Sequence, residues 1–481
     1  MTPTTDTGRQ HYGITLAVLA TSALAYAVSQ TMVAPALPEI QHAVGVSQNA
    51  VTWVLTVYLL AASIATPVLG RLGDMFGKEK VLLWVLVGFG IGSVVAALSH
   101  SLPLLIAGRA IQGAGGAIFP LAFGIIRDEF PKEKVAQAIG LISATFGIGG
   151  GAGLVLAGVI TDALNYEWIF WVAAIVIALA AVMTHFFVPE SPVRSESTKV
   201  DWSGAGLLSV GLASLLLGVS QGNAWGWSSA RVLGLFALAA VVLTVWVRFE
   251  ARHPEPLVDM RMMARRGVWT TNLVGLLVGY GMFSSFIMIP QFVQTSTAAG
   301  YGFGASVIEA GLFLLPSTLV MLVAGPLSGW LGARYGSRLP LLLGAVISAA
   351  AFGWLALAHA HAWQFIVGTA TMGLGIGFAF AAMANCVVEA VSATETGVAT
   401  GMNTIMRTIG GSIGAQLAAS IVTGSLIAGT SFPREAGYTE AFAISAIVLV
   451  AAAIVAVGIP RSGRGAEEAA SVPADAVAVR A

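Results

Sequence analysis

The chain is poor in charge and almost without cysteine. Of its 481 residues 10% are charged and 57% hydrophobic, whereas a soluble protein carries about 25% charged residues. That balance excludes a water-soluble globular domain and makes a lipid bilayer the expected surroundings. Cys386 is the single cysteine, so no disulfide can form within one chain, and a thiolate metal site is excluded with it. Acids and bases balance to a formal net charge of zero, and no basic excess marks a nucleic-acid-binding face. A G-x-x-x-x-G-K-S/T loop is missing, so transport powered by ATP is not expected. No cleavable leader is read: the first apolar run is long, and Pro35 to Glu39 after it lacks a small-residue cleavage site.

Long apolar runs are what the chain does have. A spanning helix needs about 20 mainly apolar residues. Breaks at charges, Gly and Pro divide the chain into fourteen such segments, at 14–36, 49–70, 81–99, 103–126, 136–160, 168–188, 204–221, 231–248, 269–290, 307–331, 339–358, 363–390, 398–424 and 439–460. The expected fold class is an all-α membrane protein with fourteen transmembrane helices. Placing Met1 in the cytoplasm puts 19 of the 23 Lys and Arg in the tails and the even-to-odd loops. That asymmetry predicts cytoplasmic termini.

The chain also repeats itself about 259 residues apart. PVLGRLGDMFGKEKVLL from Pro67 aligns with PLSGWLGARYGSRLPLL from Pro326, and His100 falls opposite His359. Internal symmetry of this kind underlies many transporters. The expected organisation is a six-helix bundle over 1–190, two inserted helices over 191–268, a second six-helix bundle over 269–460, and a disordered cytoplasmic tail over 461–481. The two bundles are expected to be related by pseudo-symmetry.

Polar residues within the runs mark candidate sites. Ser29, Gln30 and Thr31 interrupt the first run at mid-membrane depth, where lipid supplies no hydrogen-bond partner. Pro35 and Pro38 are expected to loosen the outer half of that helix. Arg109 lies at a helix centre, followed by Gln112, and is expected to face the bundle interior. Arg407 precedes Gly410, Gly411 and Gly414; a clamp to a neighbouring helix and a functional role weigh about equally. The segment Gly70-Arg71-Leu72-Gly73-Asp74-Met75-Phe76-Gly77-Lys78 reads as a sharp turn at the membrane face. Asp74 there is expected to cap the next helix or to pair with a base on a neighbouring bundle. GIGGGAG, Gly147 to Gly153, has no preceding strand and reads as close helix packing through small residues rather than a dinucleotide loop. Glu309 stands in the first turn of its helix as a gating or proton-binding candidate, or as a solvated helix start. His100, His359 and His361 fall at helix ends and read as solvated rather than metal-binding, and Glu389 reads as interfacial. Trp168, Trp225, Trp227 and Trp269 suit interfacial belts. Phe283, Phe286, Met288 and Phe292 suit either an adaptable pocket or a lipid face.

Several of these stretches resemble the major facilitator superfamily. The segment from Gly70 to Lys78, with Trp53, Tyr58 and Pro67 before it, is similar to the signature loop between helices 2 and 3. LIAGRAIQGAGGA, Leu105 to Ala117, resembles the helix 4 motif with its intramembrane Arg. Gly149, Gly153 and Gly158 resemble the helix 5 antiporter motif, although Leu154 replaces the usual Pro and Ala157 a usual Gly. EWIFWV from Glu167 and GMNTIMRTIGGSIG from Gly401 resemble elements of the fourteen-helix drug:proton antiporter branch. That resemblance implies export of hydrophobic drug-like compounds or antibiotics by alternating access, with a proton gradient as energy source. It also implies a monomer in the inner membrane, with a small-molecule substrate and the bilayer as its partners and no cofactor or metal. One departure matters: Ser29 stands where helix 1 of that branch carries an Asp. The remaining candidates for a proton are Glu309, His185 and Asp162, and Ser29, Gln30 and Thr31 are expected to accept hydrogen bonds from Arg109. The alternative is an importer or facilitator of a small anionic metabolite, and a catalytic constellation is not seen.

Overall fold

The computed structural model describes residues 12–195, 199–424, 426–427, 430 and 432–460. The expected tail over 461–481 lies outside the described residues. Fourteen helices among those described are long and apolar enough to cross a membrane. They are α1 (Tyr12–Val44), α2 (Trp53–Phe76), α3 (Lys78–Ala97), α4 (Leu102–Glu129), α5 (Lys132–Ala163), α6 (Glu167–Phe187), α7 (Trp202–Trp225) and α8 (Ala230–Glu250). The chain continues through α9 (Arg266–Gln294), α10 (Ile308–Tyr335), α11 (Arg338–Leu357), α12 (Ala362–Ala390), α13 (Ala393–Thr423) and α14 (Glu435–Val457). The expected number of spans is met. The connections after α2, α4, α6, α8, α10 and α12 share one face, here called the basic face because Lys78, Arg127, Lys132, Arg265 and Arg338 flank them.

Helix ends depart furthest from expectation in two places. α1 runs through Pro35 and Pro38 to Val44, eight residues beyond the expected end at 36. A missing N–H is tolerated in a spanning helix where neighbours satisfy the freed carbonyl, and the extension is tied down by Glu39, whose Oε1 accepts from the Tyr166 N–H at 3.0 Å. The expected turn from Gly70 to Lys78 is helical as far as Phe76 and breaks only at Gly77, with φ 110°. A left-handed φ strains any residue with a Cβ. Gly336, 259 residues on, ends α10 in the same way with φ 86°.

Packing repeats as the sequence does. In the first half α1 packs on α5 and α6, α2 on α4, and α3 on α6; in the second α9 packs on α13 and α14, α10 on α12, and α11 on α14. Local chemistry follows the same pattern. The residue after each left-handed glycine bonds to an acid near the end of the fourth helix of its half: Lys78 to Asp128 at 2.7 Å, and Ser337 to Glu389 at 2.6 Å. The halves meet along two related seams, α2 against α13 and α5 against α10. Gly70 stacks on Gly397 in one, and Gly329 on Ala136 and Gln137 in the other.

The inserted pair breaks this symmetry. α7 and α8 pack as a hairpin, and α7 leans on the α2–α13 seam. Ser220 bonds Thr56 of α2 at 3.2 Å, and Asn223 bonds Gln416 of α13 at 2.9 Å. Trp227 donates its indole N–H to Asn223 and Ser420, so it pins the hairpin to α13 rather than joining an interfacial belt. Trp168 and Trp269 are half exposed, as a belt requires.

Candidate functional site along the seam between the halves

The α2–α13 seam is fastened at the basic face by Asp74. Its carboxylate is fully buried and accepts from the backbone N–H of Gly397 at 3.1 Å and of Val398 at 3.0 Å. These N–H groups belong to the first α-helical turn of α13, which begins at Thr396 after a short 3-10 turn, where the helix offers unsatisfied donors and the positive end of its dipole. Asp74 thus caps a helix, as its type suggests, but one in the opposite half and not the neighbouring α3. Lys78, also fully buried, holds Asp128 at 2.7 Å and stands 3.7 Å from Asp74. Charge-assisted hydrogen bonds of this kind contribute about 1.5–3 kcal/mol each. Gly70 permits the approach: a Cβ there would lie 2.8 Å from the carbonyl carbon of Gly397.

Arg127, at the end of α4, completes the fastening. Its guanidinium donates to the Val391 and Ser392 carbonyls and to Thr396 Oγ1, at 2.7–2.9 Å. Asn385 of α12 donates to the Ala136 carbonyl of α5 at 3.2 Å. By sequence Arg127 is only one of the basic residues of the tails and even-to-odd loops. Its partners lie 264 or more residues away, and no local pattern announces them. Arg71 lies beside this group, lining a cavity of about 390 Å³ with Pro254, Glu255 and Glu395. Gly77 faces the Glu190 carboxylate.

Deeper in the membrane, Arg109 is fully buried. Its Nε donates to the Val54 carbonyl at 3.2 Å and its Nη1 to Gln112 Oε1 at 2.7 Å; Gln112 in turn donates to Ser93 Oγ at 2.7 Å. The guanidinium lies over the Tyr58 ring, 3.9 Å from its centroid. Stacking on an aromatic face supplies roughly 0.5–2 kcal/mol, which offsets part of the 2.5–3.5 kcal/mol or more that a charge at this depth costs. Arg407 on α13 lies 4.2 Å from the Phe380 centroid and 5.6 Å from that of Phe146. A line of rings joins the two cations: Tyr58 to Tyr26 at 6.4 Å, Tyr26 to Phe119 at 6.0 Å, and Phe119 to Phe146 at 5.6 Å. This layer crosses from the first half to the second.

The polar residues of α1 border that layer without touching Arg109. Ser29 Oγ and Gln30 Oε1 are buried without a hydrogen-bond partner. Thr31 donates to the Gly149 carbonyl of α5 at 2.8 Å. The expected acceptance of hydrogen bonds from Arg109 does not occur, because its Nε and Nη1 are directed to Val54 and Gln112. Gly149 and Gly153 let α5 close onto Ala27, Val28 and Thr31 of α1, whereas Gly158 faces Ile308 of α10 with an ordinary 3.4 Å clearance. Two of the three motif glycines are thus close-approach positions.

The model of the Major Facilitator Superfamily matches residues 19–415 and again 273–479. The chain belongs to the major facilitator superfamily. It is 30% identical over 322 residues to multidrug resistance protein 3 of Bacillus subtilis, which is 66% of this chain and 61% of that protein. It is 29% identical over 347 residues to the tetracenomycin C resistance and export protein of Streptomyces glaucescens, 72% of this chain and 63% of that one. These alignments span about three-fifths of the relatives' lengths. The crystal structure of the human organic anion transporter MFSD10 shares the fold with a TM-score of 0.66 at 17% identity, covering 93% of this chain and all of that one.

Within this superfamily fold, the other expected site residues fall away from the seam. Glu309 is exposed and closes a capping box with Ser306: its Oε2 accepts the Ser306 N–H at 2.8 Å while its own N–H donates to Ser306 Oγ. It is a helix start. Asp162 and His185 are exposed. His359 meets Glu435 at 3.0 Å and His100 meets Glu167 at 3.7 Å. Met288 and Phe292 face neither a pocket nor lipid; Phe292 packs among Tyr301, Phe303, His359, Phe365 and Tyr438 inside the second half.

Proposed function

We propose that this protein is a secondary active transporter of the cell inner membrane that exports hydrophobic drug-like compounds or antibiotics by alternating access. The observation that carries the reading is the two-fold pattern of seams, with Gly70 on Gly397 and Gly329 on Ala136, fastened across the halves by Asp74 and Arg127. Two related bundles that meet along related seams can rock about a central layer. The names of the relatives, multidrug resistance and tetracenomycin C resistance and export, support the direction and the class of cargo. In this reading the bundle 1–190 moves against 269–460, with the insert 191–268 riding on the α2–α13 seam. Both termini and the basic face lie in the cytoplasm, as the Lys and Arg bias suggests, and one chain suffices.

The proton gradient is the energy source in this proposal. One proton crossing about 100 mV releases about 2.3 kcal/mol. Dye accumulation in an efflux-deficient bacterial host tests the whole reading. Expression of the chain is expected to lower the accumulation of one or more compounds in a panel of dyes and antibiotics, and a protonophore to restore it. Unchanged accumulation of ethidium and of a panel of antibiotics would overturn export.

A further inference from the structure

Two guanidinium groups stand in the membrane interior with no carboxylate beside them. Arg109 is fully buried, with its Nη2 lacking a hydrogen-bond partner. Arg407 is 8% exposed and makes no hydrogen bond or ion pair among the described residues, only its contacts with Phe380 and Phe146. Tyr26 lies between them: its ring is 6.4 Å from Tyr58, on which Arg109 stacks, and 6.0 Å from Phe119, which reaches Phe146 beside Arg407. The acids of the basic face are engaged elsewhere: Asp74 with α13 and Lys78, and Asp128 with Lys78 and Ser191. Glu309 is exposed at the other end of its helix, in a capping box.

A buried charge is stable when an opposite charge and hydrogen bonds answer it. Aromatic faces answer a cation only in part. A structural clamp would spend its donors on backbone carbonyls, as Arg127 does, and Arg407 spends none. Both sites lie on one aromatic layer that runs from the first half to the second. Ser29 Oγ and Gln30 Oε1, within a turn of Tyr26, are buried and unpartnered beside it.

We propose that the cargo carries an acidic group, a carboxylate or sulfonate, on an aromatic or apolar body. Arg407 and Arg109 hold the anion, and Tyr26, Phe146 and Phe380 hold the body. This deepens the export reading and rests on it. It also accounts for an α1 without an acid: the membrane potential, the electrical part of the proton gradient, itself helps to drive an anion out of a cell that is negative inside.

Three probes that share a naphthalene body and carry an anionic, a neutral and a cationic group test this: naphthalene-2-sulfonate, naphthalene-2-sulfonamide and 2-naphthylmethylammonium. Binding to the purified full-length chain is read by thermal shift, and uptake by everted vesicles is read by mass spectrometry. The sulfonate is expected to bind on the order of tenfold more tightly than the sulfonamide, as for a charge-assisted contact, and the ammonium least. Arg407→Gln is expected to remove the sulfonate's advantage, and Arg407→Lys to retain most of it. Because Arg407 donates no hydrogen bond to the fold, its variants decide the matter even where Arg109→Gln fails to insert. Equal binding of the three probes, no binding of any, or an unchanged preference in Arg407→Gln would overturn the proposal. Arginine-dependent sulfonate binding without uptake would leave the anion site standing and remove export. Ethidium export with no preference for the sulfonate would do the reverse.

Discussion

The carboxylate of Asp74 and the backbone of Val398 meet at 3.0 Å across 324 residues of chain. An acid at the end of one helix caps the start of another in the opposite half, and Gly397 N–H joins it at 3.1 Å. In the second half the residue 259 positions on is Ala333, so the related α5–α10 seam has no such cap. The two seams are alike in backbone and unlike in charge.

Asp74→Asn is expected to weaken this fastening. An amide keeps one acceptor oxygen and loses the charge that the α13 N-terminus and Lys78 favour, so the basic ends of α2 and α13 should separate more readily, by about tenfold or more in population. Distances between spin labels on those ends should broaden, and export should fall. A distance distribution identical to the parent's would show that Asp74 does not hold the seam.

Gly397→Leu should abolish transport while leaving the protein inserted. A Cβ at 397 lands against the Gly70 carbonyl and within 3.0 Å of the Asp74 carboxylate. Gly158→Ala is the matched control, since its nearest neighbour would be 3.4 Å away. Its dye accumulation should stay within about twofold of the parent, the scatter expected of a substitution with no steric conflict.

Gly77→Ala is expected to lower thermal stability. The left-handed φ of 110° costs a Cβ-bearing residue roughly 1–3 kcal/mol, and the added methyl meets the Glu190 carboxylate. A melting temperature equal to the parent's in detergent would contradict that strain.

Glu309→Gln should leave export and its response to an imposed pH gradient unchanged within about twofold, because glutamine also completes a capping box. Vesicle assays with a pH-sensitive dye read this directly. Loss of proton dependence would restore Glu309 as the coupling residue.

The helix count, the repeat and the helical character of the Gly70–Lys78 neighbourhood differ in how much of each could be read from residues. The fourteen spans follow from apolar length. The residues predict a break several positions wider than the one at Gly77, because Gly70 and Gly73 also suggest a turn; they serve instead as contact surfaces on Gly397 and Leu121. Arg109 was legible as an interior cation, but its partners were not: Val54 and Tyr58 lie on α2, and Tyr26, at the centre of the aromatic layer, is an unremarked residue of α1. Glu309 drew attention as an acid near the membrane, and its capping box with Ser306 was present in the sequence three residues before it.

Sequence alone determined that this chain spans the membrane fourteen times and does so as two related sets of six helices with a pair between them. Lipid cannot satisfy backbone groups, so each span must form its own hydrogen bonds and be apolar along its length, and that constraint is local. Tertiary structure decided which polar groups meet. Asp74 finds Gly397 and Val398, Arg127 finds Thr396, and Arg109 and Arg407 face one aromatic layer without an acid. Those encounters depend on how two separately formed bundles dock, and a pattern of neighbours along the chain carries no record of it.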